Sequence, residues 1–135
     1  MRYLTRSFAL GALWQGRAIG QFLGETQIAG TAAIRWVSVD PWGDRYRVSV
    51  HTAEDPDDEN FGDLDNLPPL DPPDEDYVGQ GRELALVADA SEAIHQAARL
   101  TGARSDRWVN HGVAGEEYAD LVRLRRGEGR ARYLQ

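Results

Sequence analysis

The chain has 135 residues, a net charge of −7 and no cysteine. A single domain of this length buries roughly two-thirds of the surface that its unfolded chain exposes, so we expect one domain over residues 1–135. The missing cysteines exclude thiolate zinc sites, iron–sulfur clusters and thiol nucleophiles. Because no apolar run approaches the roughly 20 residues of a membrane span, we predict a cytoplasmic protein with no membrane contact.

Residues 3–24 fit two periodicities. Phe8, Leu10 and Trp14 alternate with other residues as in a strand, whereas Leu10, Leu13 and Trp14 also fit a helical stripe. Several glycines interrupt the segment, and each weakens a helix by roughly 1 kcal/mol relative to Ala. We therefore expect a strand first, followed by a short turn or helix.

A β-hairpin is predicted next, from strands at 33–39 and 45–52. Both runs are rich in β-branched and aromatic residues, which favour strands. Between them, Pro41 and Gly43 suit a three-residue loop in which Gly43 takes the left-handed conformation.

The predicted register of this hairpin places Trp36 opposite Val48 and Ile34 opposite Val50. Since side chains alternate between the two faces of a strand, one face of the hairpin is then apolar. The other face, predicted to point outward, carries Arg35, Arg45 and Arg47.

Residues 54–76 form an acidic, proline-rich insert. They contain eleven acidic side chains, no basic one and five of the six prolines, while the rest of the chain carries fifteen Arg against eleven acids. The use of Arg alone fits either the codon bias of a GC-rich bacterial genome or selection for groups that bind phosphate and carboxylate. Three interpretations of the insert stay open: a solvated loop, a loop pinned to the domain by its apolar residues, and a negative surface for a basic partner.

The acids of the insert do not form a calcium motif. An EF-hand loop beginning at Asp57 fails, because Phe61 and Pro68 occupy two ligand positions. A looser calcium or magnesium site is the alternative, built from Asp55, Asp57, Asp63 and Asp65. Motifs for zinc, for a phosphate-binding loop and for a serine nucleophile are missing from the sequence, so we predict no metal and no cofactor.

After the insert, residues 82–88 read as a strand and 90–101 as a helix. Asp89 is the expected N-cap of this helix and Gly102 its end. One continuous helix from Leu84 is the alternative.

The last helix is predicted over 114–126, with Gly127 ending it. Together these elements predict an α+β fold. Its antiparallel sheet would have three to five strands with the hairpin in the centre, and both helices would pack on one face.

Candidate polar sites are few. His51 ends a strand just before the insert, and Arg107, Asn110 and His111 lie in a loop before the last helix, where a helix N-terminus can bind an anion. Each has a structural alternative: His51 pairs with a nearby acid, and Asn110 or His111 caps backbone groups. We assign no catalytic residue.

The outward Arg face of the hairpin, with Trp42 at its tip, would suit a single-stranded nucleic acid. The net charge of −7 opposes attraction to a polyanion, so we do not expect nucleic-acid binding. Docking of the insert's carboxylates on this Arg face is the favoured alternative.

The first functional hypothesis is non-enzymatic binding of a basic protein through the insert and the hairpin tip. The contact residues would be Trp42, Asp55, Asp57, Asp58, Asp63 and Asp65. In size, charge and lack of cysteine, the chain is similar to small acidic bacterial proteins that neutralise a basic partner, such as toxin-immunity inhibitors. That similarity implies an inhibitor-type function and covers no specific motif.

The second hypothesis is a small enzyme or ligand-binding domain with a site near His111, which would also include Arg107, Asn110 and His51. It predicts one pocket that brings His51 and His111 within hydrogen-bonding reach of an acid. The third hypothesis is a structural role in a homodimer formed through an exposed sheet edge.

Overall fold

The computed structural model describes residues 2–58, 64 and 82–134, with side chains described up to residue 127. The elements in chain order are α1 (Arg6–Trp14), β1 (Ile19–Ile28), β2 (Thr31–Trp42), β3 (Arg45–Glu54), β4 (Arg82–Val87), α2 (Ala90–Thr101), β5 (Val109–Asn110) and α3 (Ala114–Leu134). The strands form one antiparallel five-stranded sheet in the order β4-β3-β2-β1-β5. The predicted α+β class and the central position of the hairpin are confirmed. Most of the acidic insert, including Asp63 and Asp65, lies outside the described residues.

The N-terminal segment is a helix followed by a strand, the reverse of the predicted order. Thr5 caps α1 by accepting a hydrogen bond from the backbone N–H of Phe8. Ala9, Ala12 and Leu13 are buried, so burial of a helical stripe outweighs the propensity cost of Gly11.

The register of the central hairpin differs from the predicted one by three residues. Trp36 lies opposite His51, and Val37 lies opposite Val50. The strands are joined by a two-residue turn, in which Gly43 has a φ of +63° at the first central position, as type II′ turns require. The predicted pairing of Trp36 with Val48 is therefore wrong.

A shift by an odd number of residues moves every side chain of β3 to the other face relative to β2. Val37, Val39 and Val48 thus share one buried face. Arg47, which was predicted to point outward, lies on the Trp36 face and is only 5% exposed.

The sheet carries helices on both faces. α1 and α2 pack on the face of Val37 and Val39, whereas Tyr118 and Val122 of α3 pack on the opposite face with Trp36. The two helices expected near 90–101 and 114–126 are both present, but they do not lie on one face. The central strands carry buried apolar residues on both sides, and each side is covered by its own helices.

The ends of α2 match the prediction, and the end of α3 does not. Asp89 caps α2 by accepting from the N–H of Ser91, and Gly102 follows α2 with a φ of +76°. Gly127 does not end α3, which continues to Leu134.

No helix among the described residues is long and apolar enough to cross a membrane.

Candidate functional site

A pocket of about 420 Å³ lies on the α3 face of the sheet. β2 supplies Trp36 and Ser38 to its wall, and β3 supplies His51. The turn before α3 adds His111 and Gly112. Cavities of roughly 300–1,000 Å³ are the usual size of small-molecule sites. The pocket is therefore the first candidate for a binding site in this chain.

The corrected register explains why polar side chains gather here. Cross-strand partners on β2 and β3 share a face, and on this face they pair Ser38 with Ser49 and Asp40 with Arg47. On the other side of β2, Gly20 of β1 lies opposite Ser38. Because Gly20 has no side chain, the space beside Ser38 stays open and belongs to the pocket.

The Ser38 hydroxyl is the centre of a hydrogen-bonded cluster. Its Oγ lies 3.0 Å from Nε2 of His51, 2.9 Å from Oγ of Ser49 and 3.2 Å from Oδ2 of Asp40. Ser49 itself is fully buried, whereas Ser38 faces the pocket. A serine hydroxyl has one hydrogen to donate. The Asp40 carboxylate can only accept it, whereas Nε2 of His51 accepts it in the tautomer that carries its proton on Nδ1.

The imidazole of His51 is held in place by Trp36. The two rings are stacked, with centroids 5.1 Å apart and an angle of 2° between their planes. Stacking on a buried indole fixes the plane of the imidazole, and in this plane Nε2 lies within hydrogen-bonding distance of Ser38.

The guanidinium of Arg47, which is paired with Glu83, belongs to another part of the pocket wall. The side chain of Arg47 is 6% exposed, and its Nε lies 3.3 Å from a carboxylate oxygen of Glu83. The guanidinium lies 5.3 Å from the ring centre of Trp42, within the range of a cation–π contact. Trp42 is 45% exposed, so it covers the cation while it keeps an open side toward solvent.

The structure unites two of the four residues predicted for a ligand site. His51 and His111 line the same pocket together with Asp40. Arg107 and Asn110 do not line it. Arg107 donates to the Tyr3 hydroxyl at 2.9 Å, and Asn110 is an exposed residue of β5.

Two described acids of the insert, Asp55 and Asp57, bind Arg125 of α3 through their carboxylates. The side chain of Asp55 is 5% exposed, accepts from the Tyr118 hydroxyl at 2.6 Å and lies 2.8 Å from Nη1 of Arg125. Asp57 is 3.4 Å from the same guanidinium, which also pairs with Glu25. These contacts anchor the start of the insert to α3.

This anchor has marked electrostatic effects. Burial opposes ionisation of Asp55, but hydrogen bonds from Tyr118, from the N–H of Asp57 and from Arg125 hold the pKa of Asp55 below its ordinary value of 3.8. Burial and then the hydrogen bond to Asp55 raise the pKa of Tyr118. The N–H of Asp58 donates to the Tyr118 hydroxyl at 3.3 Å.

Ser38, Asp40 and Arg47 were missed as site residues. Their signal is present in the sequence as the pairs Trp36–His51, Ser38–Ser49 and Asp40–Arg47, but it appears only in the correct register. Within the described part of the chain, no group of three or more His, Asp or Glu side chains is placed to hold a metal ion.

Neither a family model, nor a curated protein, nor a solved structure matches the chain.

Proposed function

We propose that this chain is a ligand-binding domain that holds a small aromatic compound in the pocket on its α3 face. The observation that carries the proposal is the position of the Ser38–His51 pair beside the indoles of Trp36 and Trp42, in a cavity of about 420 Å³. Such a combination of apolar walls and a few convergent polar groups is typical of small-molecule sites.

The walls favour an aromatic ligand. Trp36, Trp42 and Pro41 line the pocket and offer flat apolar surfaces on which a ring can stack. The polar cluster lies at one place on this wall, so a ligand would point one hydrogen-bonding group at Ser38 and His51. A carbonyl group suits this position, since it accepts the hydrogen that a hydroxyl or an N–H donates.

Paired charges make a strongly ionic ligand a poorer fit. The guanidinium of Arg47 is already matched by Glu83, and the Asp40 carboxylate lies within hydrogen-bonding distance of the Ser38 hydroxyl. A ligand carboxylate would have to displace Glu83 before it gained full benefit from Arg47. We therefore favour neutral aromatic amides and esters over aromatic acids.

The test is a titration of ¹⁵N-labelled protein with benzamide, followed through the indole N–H resonances. We expect the resonances of Trp36 and Trp42 to shift and that of Trp14, which is 65% exposed on α1, to stay in place. Benzoate, tested in parallel, should bind more weakly.

A filled-pocket variant gives the matched control. A Cβ at Gly20 would meet only the Val37 carbonyl oxygen, at 3.5 Å, which is ordinary van der Waals contact. The backbone therefore accepts a side chain here, and in Gly20→Leu we expect that side chain to fill the space beside Ser38. It should weaken benzamide binding about tenfold or more, because the ligand loses its contacts with the wall. Gly127→Leu, in open space on α3, should leave binding unchanged. Equal binding by both variants would place the ligand outside this pocket.

Binding of a basic protein is the second candidate function. Trp42 is 45% exposed, and exposed Trp residues are enriched at binding hot spots. Of the proposed contact acids that the structure describes, Asp57 and Asp58 are exposed, whereas Asp55 is committed to Tyr118 and Arg125. Changing Asp57 and Asp58 to Asn should weaken capture of a basic protein at low salt under this proposal, and Asp55 should not be needed for contact.

A further inference from the structure

We propose that Ser38 is a nucleophile for acyl transfer, that the compound taken by the pocket is a small aromatic ester, and that His51 is the general base. This inference rests on the proposed function, because it needs an aromatic compound bound beside Ser38. It adds a reaction to that binding and names the two side chains that perform it.

A serine acts as a nucleophile when a base lies within hydrogen-bonding reach and a third group orients the base. Ser38 meets both conditions, since its Oγ is 3.0 Å from Nε2 of His51 and the imidazole is stacked on Trp36. Ser49 is also near this nitrogen, at 3.4 Å, but it is fully buried and does not line the pocket. Of the two serines, only Ser38 can reach a bound compound.

Asp40 competes with His51 for the Ser38 hydrogen. Its carboxylate oxygen lies 3.2 Å from Ser38 Oγ, and Nε2 of His51 lies at 3.0 Å and accepts this hydrogen in the tautomer that carries its proton on Nδ1. Asp40 is also only half-buried, so water can replace the Ser38 hydrogen bond when the hydrogen points at His51. The Ser49 hydroxyl, 2.9 Å from Ser38 Oγ, can donate to that oxygen and leave the Ser38 hydrogen for His51.

The reaction balances with these groups and water. Ser38 Oγ attacks the ester carbonyl carbon while its proton moves to Nε2 of His51, and the carbonyl oxygen becomes negative. The bond to the alkoxy oxygen then breaks, the alcohol leaves with the proton from His51, and the acyl group stays on Ser38. Water attacks this acyl group, its proton passes through His51 to Ser38, and the acid is released.

The start of α3 can stabilise the negative carbonyl oxygen. Ala114 and Gly115 line the same pocket as Ser38 and are the first two residues of this helix. The first N–H groups of a helix have no acceptor within it and carry partial positive charge. Donors of this kind can stabilise an oxyanion that develops in the pocket.

The test is covalent labelling with phenylmethanesulfonyl fluoride, an aromatic reagent of the size that the pocket accepts. Ser38 Oγ would attack the sulfur, fluoride would leave, and His51 would take the proton. Cleavage after Arg35 and Arg45 gives a peptide of residues 36–45 in which Ser38 is the only serine, whereas Ser49 falls in the peptide that begins at Val48. Mass spectrometry therefore distinguishes the two serines directly.

We expect the label on the 36–45 peptide and none in Ser38→Ala. His51→Gln should slow labelling about 100-fold, the usual contribution of a general base. His95→Gln, at an exposed position of α2, is the matched control and should react like the native chain. Loss of labelling in Asp40→Asn but not in His51→Gln would overturn the assignment of His51 as the base.

The same samples, titrated with benzamide, separate the two proposals. If benzamide shifts the Trp36 resonance but the reagent labels no residue, or labels one other than Ser38, the nucleophile is refuted and the binding pocket stands. If neither benzamide nor the reagent reaches the pocket, the proposed function fails together with this inference. Binding with labelling of Ser38 that depends on His51 supports both.

Discussion

Replacement of Tyr118 by Phe tests the anchor between the acidic insert and α3. The side chain is fully buried, and the substitution removes only the hydroxyl that donates to Asp55 and accepts from the N–H of Asp58. A hydrogen bond to a charged group contributes about 1.5–3 kcal/mol. Since Asp55 keeps its contact with Arg125, we expect a loss of about 2 kcal/mol in the free energy of unfolding at pH 7, measured by urea titration.

The loss should depend on pH with a defined sign. The pKa of Asp55 in the folded chain lies below its ordinary value of 3.8, so its stabilising contribution is complete above that value. As the pH falls below 3.8 and through the lower folded pKa, the carboxylate is protonated and this contribution is lost. The difference between native chain and Tyr118→Phe should therefore shrink at pH 3.

The matched control is Tyr46→Phe on β3. Tyr46 is partly buried, and its hydroxyl makes no hydrogen bond with the part of the chain that the structure describes, so the change should stay within about 0.5 kcal/mol. A loss below about 0.5 kcal/mol for Tyr118→Phe, or a difference that grows on acidification, would refute the anchor.

Two glycines should respond to Ala with opposite signs. Gly127→Ala, inside α3 with open space around its Cβ, should stabilise the chain by about 0.5–1 kcal/mol in urea unfolding; destabilisation would mean that α3 ends there as the sequence suggested. Gly102→Ala, at a φ of +76° after α2, should destabilise it by about 1 kcal/mol; no change would contradict the left-handed cap.

The features that depend on neighbouring residues could be predicted from the sequence. Asp89 and Gly102 mark the ends of α2 because capping depends on a few adjacent residues. The prediction that Gly127 ends α3 was wrong, because this end does not depend on one residue. A glycine in an exposed helix costs only about 1 kcal/mol, which the rest of α3 can offset. Local signals therefore indicated where α2 begins and ends, but not where α3 stops.

The register of the hairpin depends on contacts between strands and could not be read from the turn alone. Pro41 and Gly43 fit a three-residue loop, but the chain uses two residues and extends β2 to Trp42. Both faces of β2 are buried near Trp36 and Val37. The alternation of polar and apolar residues therefore does not distinguish the correct register from the predicted one.

This error also hid the site. His51 and His111 were recognisable as titratable groups near strand and helix ends, and the structure brings them to one pocket. Ser38 could not be recognised, because a serine in a strand has no distinctive pattern. Its role depends on lying beside His51 and opposite Gly20.

The central hairpin also limits how the length of this chain can change. Along β2, Trp36 and Ser38 line the pocket, whereas Val37 and Val39, which alternate with them, belong to the core under α1 and α2. Insertion or deletion of one residue in β2 would turn valines into the pocket and the serine and tryptophan into the core. Substitutions can alter the ligand preference one side chain at a time, whereas a one-residue change in strand length would remove site and core together.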